Sequence, residues 1–182
     1  MLRPVRHRDA RGWFSETYSR ARLAEVGVTH AFVQDNQSWS RIAGTVRGLH
    51  FQHPPNGQAK LVSCLVGRIQ DVIVDIRTGS PTFGRAASVT LSDDGAQLFV
   101  PVGFAHGFVT LTDAVLVAYK VSQFYDQASD DGIAWNDPAL GVDWSLPEES
   151  LVVSEKDARL KPLAMLNSPF VWSGGGLDPI EV

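Results

Sequence analysis

The sequence predicts an all-β domain closed as a jelly-roll barrel, with a few short peripheral helices, and three observations carry that expectation. Apolar and β-branched runs recur between turn signals along the chain. Strands do not alternate with helical segments, which removes the case for a parallel sheet. The chain has 182 residues, 44% of them hydrophobic, which suits one domain. So many strands in one domain bury both their faces and their edges by closing into a barrel or a double sheet.

The strand candidates, in order, are AFVQ (31–34), TVRGLHFQ (45–52), AKLVSCLVGRIQDVIVDIR (59–77), AASVTLS (86–92), QLFVPVGFAHGFVTLT (97–112) and AVLVAYKVSQFY (114–125). PPNG, RTGSPTFG and SDDG supply turns between them. Helix signals are confined to SRARLAEVG near the start, closed by Gly27, and to SEKDARL after the strands. We read one jelly-roll domain over residues 1–165, then a flexible or loosely docked tail over 166–182, where SGGGLDP combines glycines with a proline.

Composition narrows the function. A formal charge of -4 and a pI near 5.7 argue against a general nucleic-acid binder, which needs a basic face to displace counterions, but leave room for a local anion site. No apolar run approaches the roughly 18 residues of a membrane span, and the first residues lack the apolar core of a secretory signal, so a cytoplasmic protein is expected. The one cysteine, Cys64, lies inside LVSCLVG and reads as a buried inert thiol. Neither GxGxxG, P-loop nor GxSxG patterns occur.

The densest chemistry is RGLHFQHPPNGQAKL, residues 47–61, and it admits three readings. His50, His53 and His106 could gather around a metal ion. Against this, a separation of three sends His50 and His53 to opposite faces of a strand, His53 precedes two prolines, and Lys60 stands where a carboxylate ligand would be welcome. The plain reading makes His50 a hydrogen-bonded core histidine and Arg47 and Lys60 solvated cations. The third is proton transfer: His50 as base, Lys60 as electrostatic stabiliser, and a phenol from AVLVAYKVSQFY as acid. There, period two puts Val115, Val117, Tyr119, Val121 and Tyr125 on one face. Parity also groups Lys60 with Val62, Cys64 and Val66, while the other face, with Leu61 and Leu65, is apolar too, so the lysine either snorkels outward or points into a pocket. Arg47 and His50 should diverge in an ideal strand, and Gly48 between them could host a bulge that re-aims the arginine.

Taken together, DARGWFSE, FVQDNQSWS, GTVRGLHFQ, QAKLV, DVIVDIRTGSPTFG, VPVGFAHGF, YKVSQFY, WNDPALGVDW and SEKDA, in this order over about residues 9–160, resemble the dTDP-4-dehydrorhamnose 3,5-epimerase family of cupin-fold sugar-nucleotide enzymes. The resemblance implies a homodimer that needs neither metal nor organic cofactor. It would epimerise dTDP-4-dehydro-6-deoxyglucose at C3 and C5 to dTDP-4-dehydro-rhamnose. A relative that inverts C3 alone is the alternative; from different classes come a non-catalytic cupin that only binds a sugar nucleotide and, third, a metal-dependent cupin isomerase or oxygenase.

By the same resemblance His50 is the general base, Asp157 its partner and Tyr119 the acid, while the negative charge that builds on the ketone oxygen makes Lys60 the suitable cation there. Arg47 and Arg11 would bind the diphosphate, Tyr125 would stack on thymine, and His106, Glu16, Gln34, Asn36 and Asp130 would be further substrate contacts. The first strands would cross to a neighbouring subunit. Read locally, however, Ser154 followed three residues later by Asp157 is a helix cap, which competes with the dyad for the same residue.

Overall fold

A computed structural model of the chain describes residues 1–174. Its elements are β1 (His7–Asp9), β2 (Gly12–Phe14), α1 (Arg20–Glu25), β3 (Gln34–Ser40), β4 (Val46–Gln52), β5 (Lys60–Val66), β6 (Arg68–Asp75), β7 (Ala86–Ser92), β8 (Gln97–Val100), β9 (Phe104–Thr110), β10 (Val115–Val121), β11 (Asp130–Gly132) and α2 (Glu155–Ala158), with three single-turn 3-10 segments. Antiparallel pairing builds a four-stranded sheet, β3-β10-β5-β8, facing a five-stranded sheet, β11-β4-β9-β6-β7, while β1 and β2 form a separate hairpin. This is the all-β jelly roll that the strand pattern predicts. None of the helices among the described residues is long and apolar enough to cross a membrane.

Two of the apolar runs are each two strands. The first turns at Gly67, whose φ of +80° suits a residue without Cβ and whose surroundings would set a Cβ 2.7 Å from Thr112 Oγ1. The second breaks at Pro101-Val102-Gly103 between β8 and β9. β3 differs from its expected position: the apolar AFVQ contributes only Gln34, and the strand proper is the polar QDNQSWS. It alternates half-buried Gln34, Asn36 and Ser38 with exposed Asp35, Gln37 and Trp39. An apolar scan misses it because its inner face carries amides and hydroxyls instead of hydrocarbon.

Alternation sorts the rest into layers. Val62, Cys64, Ile69, Ile73, Leu98, Phe108, Val115 and Val117 meet between the sheets. Val46, Leu49, Phe51, Val72, Val74 and Val109 point out of the five-stranded sheet and are covered by the later segment with Ile133, Trp135, Trp144, Leu163 and Phe170. Each such side chain stabilises the fold by roughly 1.5–3 kcal/mol on burial. The outer face of the four-stranded sheet keeps a thinner cover, in which Leu23 of α1 and Val28 pack on Leu61. Ser19 caps α1, and Gly27 follows it at φ +83°, as the sequence indicates.

The expected loose tail over 166–182 falls partly outside the described residues. Within them, the Phe170 ring lies 5.9 Å from Phe51, and the backbone of residues 170–172 pairs with Thr78.

β4 carries the feature that positions the site. Its register against β9 shifts between Arg47 and His50, so both residues face the interior despite their separation of three. Gly48 makes the shift possible at φ +120°, and a Cβ there would lie 2.6 Å from the Gly107 Cα and 2.8 Å from the His106 carbonyl oxygen. Gly48→Ala should therefore destabilise the protein by on the order of 2–4 kcal/mol. Urea unfolding reads this directly, and a loss below about 1 kcal/mol would mean that the bulge yields without cost.

Candidate active site

Five strands aim polar side chains into one end of the interior. From β4 of the five-stranded sheet come Arg47, His50 and Gln52, and on β9 His106 is the register partner of His50. From the four-stranded sheet come Lys60 on β5, Tyr119 on β10, and Gln34 and Asn36 on β3, with Asn36 directly opposite Tyr119. Arg47 spans the gap, its guanidinium donating to Ser40 Oγ at 3.3 Å and to the Trp39 carbonyl at 3.1 Å.

His50 Nε2 lies 2.8 Å from Asp157 Oδ1, and the other oxygen of Asp157 accepts from the Gly48 N–H at 3.2 Å. Burial raises the Asp157 carboxyl, but the hydrogen bond and charge of His50, with help from Gly48, outweigh it and hold the group below the usual carboxylate range. An ionised carboxylate only accepts, so the proton of neutral His50 sits on Nε2 and the lone pair on Nδ1. The rivalry between helix cap and dyad does not arise. Ser154 Oγ caps α2 through the Asp157 N–H at 3.1 Å, which leaves the carboxylate free to turn to β4.

Lys60 is only 8% exposed, and its Nζ donates across the gap to the His50 carbonyl at 3.3 Å. Burial pushes its pKa down to about 8, with Asp71 and Asp130 opposing that shift. Tyr119 is half-buried against the interior cluster, and desolvation raises its phenol, with the Arg47 charge pulling the other way. His106 Nε2 sits 2.7 Å from Asp71 Oδ1, and the second oxygen of Asp71 is buried with no hydrogen-bond partner.

At the mouth, Tyr125 Oη donates to Asp130 Oδ2 at 3.1 Å. The strand parity that groups Tyr125 with Tyr119 does not hold, because β10 ends at Val121 and Tyr125 stands 56% exposed on the loop that follows. Lys156, the neighbour of Asp157, also reaches Asp130 Oδ2, at 2.5 Å. Sequence reasoning passed over Lys156 because a lysine in a short helical turn looks like surface. Its place beside Asp157 in SEKDA was the available signal.

Two expected contacts lie elsewhere. Arg11 caps the β1-β2 hairpin with its side chain 90% exposed and paired to Asp9 at 2.6 Å, and Glu16 pairs with Arg22 at 3.1 Å. A cavity of about 610 Å³ separates that N-terminal segment, at Arg8 and Trp13, from Gln37, Ser63 and Lys120 on the outward side of the four-stranded sheet. It lies on the side of the four-stranded sheet away from His50. His53 leaves the strand and pairs with Asp131 at 2.9 Å. Among the described residues, no three His, Cys, Asp or Glu side chains cluster as metal ligands.

An imidazole with a buried carboxylate behind it, a buried lysine and a phenol from the opposite sheet are the groups that acid-base chemistry at an oxyanion can use. Comparison with known proteins agrees. The family profile described as dTDP-4-dehydrorhamnose 3,5-epimerase matches residues 1–165. The dTDP-4-dehydrorhamnose 3,5-epimerase of Sinorhizobium fredii is 46% identical over 177 residues, covering 94% of this chain and 88% of that protein. The structure of the Legionella pneumophila dTDP-6-deoxy-D-glucose-3,5-epimerase, in complex with dTDP-4-keto-L-rhamnose, is 42% identical and superposes with a TM-score of 0.88, covering 93% of this chain and 92% of that one. The Bacillus anthracis dTDP-4-dehydrorhamnose 3,5-epimerase, with TDP and PPi bound, is 46% identical with a TM-score of 0.85, over 88% of this chain and 91% of that one. On its sequence, its fold and the residues gathered at the end of its barrel, this chain belongs to the dTDP-4-dehydrorhamnose 3,5-epimerase family.

Proposed function

We propose that this protein epimerises dTDP-4-dehydro-6-deoxyglucose at C3 and C5, giving dTDP-4-dehydro-rhamnose. The observation that carries the reading is the placement of His50 and Tyr119 on facing sheets of one interior, with Lys60 reaching from the sheet of Tyr119 to the backbone of His50. Protons on carbons flanking a C4 ketone are acidic because the enolate spreads charge onto the ketone oxygen. His50 Nδ1 takes such a proton while Asp157 supports the imidazolium that forms. Lys60 holds the enolate oxygen, and the Tyr119 phenol returns a proton to the opposite face, inverting the carbon. The neutral phenol is the form a donor needs, and its raised pKa keeps it so near neutrality. Every step is a proton transfer, so the reaction requires no electron carrier.

Substrate binding follows from the remaining groups. Arg47 and Arg11 bind the diphosphate, Tyr125 stacks on thymine beside Asp130, and Gln34, Asn36, His106 and Glu16 complete the contacts. Arg11 and Glu16 belong to the N-terminal segment, which supports a homodimer in which that segment serves the neighbouring barrel. A single free thiol at Cys64 fits a reducing cytoplasm.

Turnover in deuterated water tests the reaction. NMR should show deuterium entering both C3 and C5 of the product; label confined to C3 would make the enzyme a single-centre epimerase, and no label at either carbon would end the reading.

The Lys60 pKa sets a pH limit. Its charged form dominates below about 8, so kcat should decline as pH rises through that value. Lys60→Met should lower kcat by on the order of a hundredfold and abolish that alkaline limb. A wild-type profile that stays flat to pH 10 would remove Lys60 from the oxyanion role.

Subunit exchange tests the dimer. His50→Ala and Arg11→Ala should each be nearly inactive, while their equimolar mixture should regain about a quarter of wild-type activity, because each mixed dimer holds one intact site. Recovery no greater than the sum of the parents would place Arg11 in its own subunit's site or outside the chemistry.

A further inference from the structure

Gln52 is 3% exposed and lies on β4 two residues beyond His50, on the same face. A buried primary amide must place two N–H groups and a carbonyl oxygen. Its Nε2 donates to the Asn56 carbonyl at 2.7 Å and to the Phe124 carbonyl at 3.2 Å, and its Oε1 accepts from the Asp126 N–H at 2.9 Å. Both partners of Nε2 are carbonyls and the partner of Oε1 is an N–H, so a single orientation of the amide satisfies all three.

Phe124 and Asp126 flank Tyr125, so one side chain from the strand of His50 grips the backbone on either side of that tyrosine. Gln34 Oε1 accepts from the Tyr125 N–H at 3.1 Å, and Asp130 holds its hydroxyl. Other residues of the β4–β5 turn bind the same loop. Gln58 Nε2 donates to the Gln123 carbonyl at 2.9 Å, the Ala59 N–H to Ser122 Oγ at 2.9 Å, and Asn56 Nδ2 to Asp126 Oδ2 at 2.9 Å. The segment is therefore fixed at nearly every residue, yet the ring it carries remains open to solvent. Fixing an exposed aromatic adds little to folding stability, but it lowers the ordering cost of a ligand that stacks there.

We infer that Gln52 is a positioning residue that holds Tyr125 as a preformed platform for the nucleobase and so sets affinity for the nucleoside diphosphate. The inference rests on the stacking role proposed for Tyr125. In it, β4 works as a ruler: Arg47 for the diphosphate, His50 for the sugar and, through Gln52, the seat of the base.

Calorimetry with dTDP and with inorganic pyrophosphate, alongside steady-state kinetics, separates the possibilities. Gln52→Leu should weaken dTDP binding about tenfold, raise KM in proportion and leave pyrophosphate binding and kcat within about twofold. Adding Tyr125→Ala to Gln52→Leu should cost less than about twofold more, since both remove one interaction. Undiminished dTDP binding by Gln52→Leu, while Tyr125→Ala loses it, would overturn the inference and leave the stacking role standing. Undiminished binding by Tyr125→Ala would remove the stacking role and the inference with it. Equal losses for dTDP and pyrophosphate, or a collapse of kcat, would mean that Gln52 supports the whole site and would also overturn the proposal. Should the leucine variant fail to fold, Gln52→Glu keeps the shape and the acceptor for Asp126 while removing both donors, and its ratio of dTDP to pyrophosphate loss is judged by the same criteria.

Discussion

The site depends on the carboxylate of Asp157. It is buried, and its two oxygens meet β4 at two points, the Gly48 N–H and the His50 imidazole, so it joins the helical turn α2 to the strand at its bulge. A buried charge is tolerated only when paired, and removing one partner of such a pair typically costs about 3–5 kcal/mol. That constraint fixes the tautomer of His50 and ties the irregular backbone of β4 to the residue that needs it. Without the bulge, Arg47 and His50 would lie on opposite faces and could not both turn to the interior.

Charge within the barrel is arranged so that the ionisable groups press on one another across the two sheets. Lys60 loses solvation on burial, which lowers its pKa to about 8 and favours the neutral amine, yet leaves the ammonium the dominant form near neutrality. Asp71 and Asp130 keep that shift from going further. Burial acts on Tyr119 in the opposite sense, since its neutral form is the one favoured away from water. One physical cause, desolvation, thereby favours the neutral form of both groups: it keeps the phenol protonated, and it sets the pH above which the ammonium is lost.

The mouth of the barrel follows a different principle. Gln34, Gln52 and Gln58 are neutral amides that satisfy backbone groups of the loop, and the Asn56 amide donates to the Asp126 carboxylate of the same loop. Their hydrogen bonds leave an exposed ring in a set position, and the ion pair of Lys156 with Asp130 links that loop to α2. Rigidity at the rim and electrostatic tuning within are thus supplied by different side chains on the same few strands.

The alternation of apolar residues determined the strands, because burial on one face of a pleat writes itself into every second position. It put Tyr119 on an apolar face, left Lys60 either snorkelling outward or pointing into a pocket, and offered the glycine at position 48 as a place where the register could break. The polar strand β3 was invisible to that signal, since its inner face carries amides and hydroxyls instead of hydrocarbon. The exposed position of Tyr125 was also hidden, as nothing local shows where β10 stops. Asp157 could only be read as a helix cap from its neighbours. Tertiary structure decided that its N–H serves the cap and its carboxylate serves His50, a residue 107 positions away in sequence. Contacts across such distances depend on how sheets stack and loops return, and no periodicity within a single segment encodes them.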